Sequence, residues 1–185
     1  NQYIVSASTE GNVTVWDFEQ QAKGLKTLFG TNPLHELTGL LSYPLALLPI
    51  GDQKLLTAGS KEGLQVWDLQ NGEHIADLAD EIKSTNVITS AVLDPGNKML
   101  LSGGTNRVVK LFNYELTDAS PQALKHPGFS RCLAISPDGR YSISGTVDGE
   151  IYVWDVEKQT VKHILEAHQG VVREVAISQE GSHLV

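Results

Sequence analysis

His126 to Asp155 reads HPGFSRCLAISPDGRYSISGTVDGEIYVWD, and the fold is decided here. Apolar and polar residues alternate through Arg131-Cys132-Leu133-Ala134-Ile135-Ser136, and again through Glu150-Ile151-Tyr152-Val153-Trp154. Pro137-Asp138-Gly139 and Asp148-Gly149 supply sharp reversals between the apolar runs. A period of two, closed by such turns, predicts antiparallel strands joined by tight hairpins.

The same plan recurs on both sides of this stretch. Residues 3–8 lead through Thr9-Glu10-Gly11-Asn12 into Val13-Thr14-Val15-Trp16-Asp17. Residues 54–59 lead through a turn at 60–63 into Leu64-Gln65-Val66-Trp67-Asp68. Residues 99–104 lead through Thr105-Asn106-Arg107 into Val108-Val109-Lys110-Leu111-Phe112-Asn113. The aromatic anchors Trp16, Trp67, Phe112 and Trp154 are spaced by 51, 45 and 42 residues. After each anchor comes a polar linker and a short, solvated outer strand, such as residues 74–78 or 161–165. A further alternating strand then precedes the next hairpin, at 43–48, 87–93, 131–135 and 171–177. Four short strands repeating every 40–45 residues, roughly, predict an all-β array of propeller blades. The least regular stretch, 23–41, reads as a loop insertion.

Composition narrows the partners. The 185 residues carry a formal charge of −8, with 41% hydrophobic and 19% charged residues. This balance is globular, and it argues against nucleic acid or an anionic membrane, which both favour a basic surface. The longest apolar stretch, residues 40–50, is interrupted by Ser42, Pro44 and Pro49, so no membrane insertion is expected. No signal peptide is visible, and a cytoplasmic location is the expectation. The single cysteine, Cys132, lies within an alternating strand, where a buried inert thiol is expected. Asn12-Val13-Thr14 matches a glycosylation acceptor but falls inside a strand pattern, so the match reads as chance.

On these residues the chain resembles the WD40 repeat family over essentially its whole length. The resemblance implies a WD40-type β-propeller with about four consecutive four-stranded blades, part of a ring of about seven. It divides the chain into a partial blade with an insertion at 1–40, blades at 41–83, 84–125 and 126–167, and the start of another at 168–185. The remainder of the ring is expected in the same chain or another. It also implies a hydrogen-bonded structural tetrad of His126, Ser144, Asp148 and Trp154. Such a network would satisfy a buried indole N–H and a buried carboxylate together. Other repeats depart from it: Glu10 and Lys61 stand at the Asp position, and Phe112 has no N–H to offer.

Catalysis is not expected. Ser144, His126 and Asp148 could pass for a hydrolase triad, but Ser144 lies within a strand and no Gly-x-Ser-x-Gly elbow surrounds it. His35, His74, His163 and His183 are scattered singly, so neither a metal nor a cofactor is expected. Asp77, Asp80 and Glu81 read as a solvated turn. What remains is recognition. In the resembled family, loops approaching the inner strands, and turns beside the Asp site, line the channel mouth and bind protein or peptide segments. Carried over, the strand-approach positions are Tyr43, Thr89, Phe129, Arg131, Val171 and Arg173. The turn positions are Thr9, Ser60, Thr105 and Val147. Arg131 and Arg173 each fall five residues after a His, which places two guanidinium groups on one face. They suit an acidic or carboxylate-terminated segment; alternatively they pair with neighbouring carboxylates and only stabilise the surface. A non-catalytic scaffold leads this reading. The alternatives are a regulatory or sensor domain fused to a partner such as a kinase, and a propeller enzyme or ligand-binding protein.

Overall fold

Turn chemistry sets the strand boundaries in the computed structural model, which describes residues 3–17, 33–38, 40, 44–59, 63–78, 87–94, 96, 98–113, 122–181, 183 and 184. At Pro137-Asp138-Gly139 the Ser136 hydroxyl donates to the Asp138 carboxylate at 2.6 Å, and the Arg140 N–H donates to the same oxygen at 3.1 Å. Those two bonds, the Ser136 hydroxyl above all, hold Asp138 below the usual carboxylate range. Gly139 takes φ +70°, which glycine adopts without strain. The Asp94 carboxylate serves the corresponding turn of the preceding repeat, accepting from the Lys98 and Met99 N–H groups at 2.7 Å each.

The described strands form four antiparallel sheets, and none of the described residues is helical. The first sheet runs β1 (Tyr3–Ala7), β2 (Val13–Asp17), β3 (His35–Leu37). The second runs β4 (Pro44–Ile50), β5 (Lys54–Gly59), β6 (Gly63–Asp68), β7 (His74–Asp77). The third runs β8 (Ile88–Leu93), β9 (Met99–Gly104), β10 (Val108–Asn113), β11 (Gln122–Lys125). The fourth runs β12 (Ser130–Ile135), β13 (Tyr141–Thr146), β14 (Glu150–Asp155), β15 (Thr160–Glu166). Every connection is to the sequence neighbour, as a meander of hairpins requires. The all-β, WD40-type expectation therefore holds at the level of the sheets.

Two differences from the sequence reading are instructive. Within 23–41, read as an insertion, β3 pairs with β2, and buried Leu37 stands opposite Val13. One apolar side chain suffices to dock so short a strand. Residues 171–176, read as a strand, carry no strand pairing; a lone bridge joins Ile177 to Leu184. The alternation there still sorts inside from outside, since Val172 and Val175 are buried.

The chain divides into two compact units, Asn1–Thr85 and Asn86–Val185. In the first, Val13, Val15 and Leu37 of the first sheet pack with Leu55, Trp67 and Leu69 of the second hairpin. In the second, Leu101, Val109, Leu111 and Leu124 pack against Leu133, Tyr152, Trp154 and Val156. The opposite face of the fourth sheet holds Cys132, Ala134, Ile143 and Ile151 against Val172 and Val175. β13 is consequently buried at every position after Tyr141. Burial on both faces replaces the one-sided alternation of a sheet that meets water. The outer β15 is exposed along its whole length.

Candidate functional site

Three of the four residues at the implied tetrad positions form a buried relay in the fourth sheet. Trp154 lies on β14 and Ser144 on β13, diagonally across the pair since Ser144 stands opposite Tyr152, while His126 enters from the segment before β12. The Trp154 indole N–H donates to Ser144 Oγ at 2.9 Å, and His126 Nε2 lies 2.8 Å from that oxygen. His126 Nδ1 lies 2.8 Å from the Gly128 carbonyl. A carbonyl only accepts, so Nδ1 carries the proton and Nε2 accepts from the Ser144 hydroxyl. With a neutral imidazole the relay runs Trp154 to Ser144 to His126 to Gly128. Burial lowers the His126 pKa accordingly, against the opposing pull of the Gly128 bond and the Glu150 carboxylate. Tyr152 packs on the imidazole, with ring centroids 4.6 Å apart. Its hydroxyl donates to Glu150 Oε2 at 2.6 Å, and burial followed by that bond pushes its pKa up to about 12.

Asp148 does not occupy the buried position implied for it. It is exposed, and His126 Nδ1 bonds the Gly128 carbonyl. Its side chain lies over Gly128, where an added Cβ would stand 2.8 Å from Oδ2. The Trp-to-hydroxyl bond alone recurs in the first unit, from Trp67 to Thr57 Oγ1 at 3.0 Å and from Trp16 to Ser6 Oγ at 3.3 Å. Ser144 is wholly buried and both its neighbours are engaged, so this Ser-His pair is laid out for packing and not for substrate attack.

The rim residues of the second unit are brought together by backbone bonds. Val147 N–H donates to the Phe129 carbonyl at 3.1 Å, and Val172 N–H to the Thr146 carbonyl at 2.9 Å. The stretch 146–147 is thereby flanked by residue 129 on one side and 171–172 on the other. Cys132 Sγ lies 3.5 Å from the Val172 carbonyl, which sets Arg131 and Arg173 on adjoining backbone. Burial raises the Cys132 pKa, so the thiol stays protonated. Phe129 and Val171 are 40% and 48% exposed, and both arginines are exposed. Among the described residues neither arginine sits in an ion pair.

Other named rim positions differ in kind. The Thr89 hydroxyl donates to the Ser130 carbonyl at 2.5 Å, stitching the third sheet to the fourth. Thr105 Oγ1 accepts the Val87 N–H at 3.2 Å. Both hydroxyls are engaged inside the protein. Thr9 is exposed in the turn between β1 and β2, in the first unit. Tyr43 and Ser60 lie outside the described residues. One rim residue that the sequence reading passed over is Arg107, whose guanidinium carbon lies 5.4 Å from the centroid of the Phe129 ring.

Residues 122–155, which span β11 to β14, match the WD40 family model described as "WD domain, G-beta repeat". That segment is a WD40 repeat, and the resemblance drawn from the sequence stands. Among known proteins the chain is similar to cilia- and flagella-associated protein 52 of Chlamydomonas reinhardtii, at 24% identity over 86% of this chain and 24% of that protein. It is 29% identical to the guanine nucleotide-binding protein subunit beta of Schizosaccharomyces pombe, over 62% of this chain and 37% of that one. Autophagy-related protein 16 of Arabidopsis thaliana is 25% identical over 90% of this chain and 31% of its own length. The chain thus spans between a quarter and two fifths, roughly, of the relatives named. No described helix is long and apolar enough to cross a membrane.

Proposed function

We propose that this chain is a non-catalytic protein-interaction module, each sheet serving as one propeller blade, that docks acidic protein segments on the rim of its second unit. The observation that carries the reading is the pair of exposed arginines, Arg131 and Arg173, on adjoining backbone and in no ion pair among the described residues. A guanidinium meets a carboxylate through two parallel N–H bonds, which gives direction as well as strength. Phe129 and Val171 beside them offer apolar area of the kind found at the centres of docking sites. The relatives are named for cilia and flagella, for guanine nucleotide binding and for autophagy, which accords with a shared docking scaffold adapted to different partners.

The test is charge reversal. Arg131→Glu with Arg173→Glu should weaken binding of a fluorescein-labelled oligo-glutamate peptide by roughly ten-fold or more at low salt, because rim charges set encounter and register. The melting temperature should not move. Unchanged anisotropy titrations would remove this face from consideration.

A further inference from the structure

Arg107 and Gln159 are the two described non-glycine residues with a left-handed backbone. Arg107 takes φ +57°, in the left-handed region that side chains with a Cβ rarely adopt. Its counterparts show what the position ordinarily demands. Five residues before their aromatic anchors, the first and fourth sheets have Gly11 at φ +91° and Gly149 at φ +97°, while the second repeat has Glu62, outside the described residues. The equivalence of Arg107 and Gly149 is also seen in bonding: His126 N–H donates to the Arg107 carbonyl at 2.8 Å, and His168 N–H to the Gly149 carbonyl at 3.1 Å. At the fourth-sheet turn a Cβ would collide with the His168 carbonyl, so glycine is required there. At the third-sheet turn arginine is kept, strain included.

The side chain does something with that strain. It is exposed, and its guanidinium lies over Phe129, within cation–π range of a ring that is itself 40% exposed. Glycine would leave the ring bare and remove the charge. Backbone strain held at the surface, beside an exposed aromatic, is a reason to look for a ligand. The second, independent reason is charge. Arg107 is exposed and outside any described ion pair, as are Arg131, Arg140 and Arg173 of this unit.

We infer that Arg107 and Phe129 form a composite anchor for one acidic–apolar step in the docked segment. A partner carboxylate sits on the Arg107 guanidinium while the adjoining apolar side chain lies on the open part of Phe129, towards Val171. This inference rests on the docking reading above and adds to it a sequence preference: the segment carries an aromatic or large aliphatic residue next to Asp or Glu.

The experiment uses two fluorescein-labelled peptides, one with a Glu-Asp-Phe-Asp-Glu core and one with that Phe replaced by Ser. The protein should bind the Phe peptide about five-fold tighter, a ratio in keeping with one cation–π-supported apolar contact. Arg107→Gly and Phe129→Ser should each bring that ratio to within about two-fold while the Ser peptide keeps its dependence on Arg131 and Arg173. Arg107→Gly should not lower the melting temperature, since it relieves the left-handed strain, and so loss of the preference cannot be put down to unfolding. Equal binding of the two peptides by the unaltered protein, or a preference that survives both substitutions, overturns the inference and leaves the arginine-face reading in place. If neither peptide binds, both readings fall together.

Discussion

The third and fourth sheets share one hairpin plan and differ in where they concentrate their polar chemistry. The fourth sheet carries a Trp anchor, and its Trp154–Ser144–His126 relay lies inside the protein. The third sheet has Phe112 at the same position, which is buried but offers no N–H. Its unusual residue is at the surface, where Arg107 occupies a turn position that is Gly149 in the fourth. One sheet is specified from within by a directional network; the other packs its anchor by apolar contact and carries an arginine in its turn. A repeat architecture permits this, because each unit need satisfy only its own strands and its neighbours.

The strongest way to break the comparison is Trp154→Ala. It removes a large buried side chain and leaves the Ser144 hydroxyl without the indole donor, so unfolding free energy should fall by about 3–5 kcal/mol. Chemical denaturation measures this, and a loss under about half a kcal/mol would put Trp154 among ordinary surface residues. Gly149→Ala comes next. With φ at +97° and the His168 carbonyl against the new Cβ, it should destabilise by about 2–3 kcal/mol. Were it neutral, the contrast between Gly149 and Arg107 would lose its physical basis.

The third prediction concerns pH. Burial depresses the His126 pKa in the folded protein, whereas the unfolded chain takes its proton near the ordinary value of about 6.5. Below that pH the unfolded state binds a proton that the folded state refuses, so stability falls as pH falls from about 6.5 towards the folded pKa. Above about pH 7.5 both states are neutral and His126 adds no slope. Melting temperatures of the protein and of His126→Gln across pH 5 to 8 should therefore diverge in shape on the acid side, by at most about 1.4 kcal/mol per pH unit. Parallel curves would show that the imidazole is not held neutral by the relay.

Much of this was legible in the residues themselves. Turn chemistry at Pro137-Asp138-Gly139 and the regular placing of Trp16, Trp67, Phe112 and Trp154 located the hairpins, because period-two alternation and glycine turns are local signals. His126, Ser144 and Trp154 meet because three side chains that need partners lie at fixed positions around one hairpin. Asp148 was misjudged for a reason that residue types cannot reveal: a backbone carbonyl, that of Gly128, bonds His126 Nδ1. Tyr152 was hidden too, since alternation suggests one buried face and β14 is covered on both. Arg107 left a trace that was available from the start. Aligning the turns on their aromatic anchors puts glycine at 11 and 149, glutamate at 62 and arginine at 107, and a non-glycine residue at such a turn position is a signal to examine.

The short turns that carry Arg107, Phe129 and Val147 are fastened to strand ends by the Arg107–His126 and Phe129–Val147 backbone bonds. A surface anchored so near its exposed groups is preorganised, and little of its own freedom is lost when something lands on it. The entropic burden of association then falls on the incoming segment, so stiffening that segment in its extended form should gain more affinity than any further tightening of the rim.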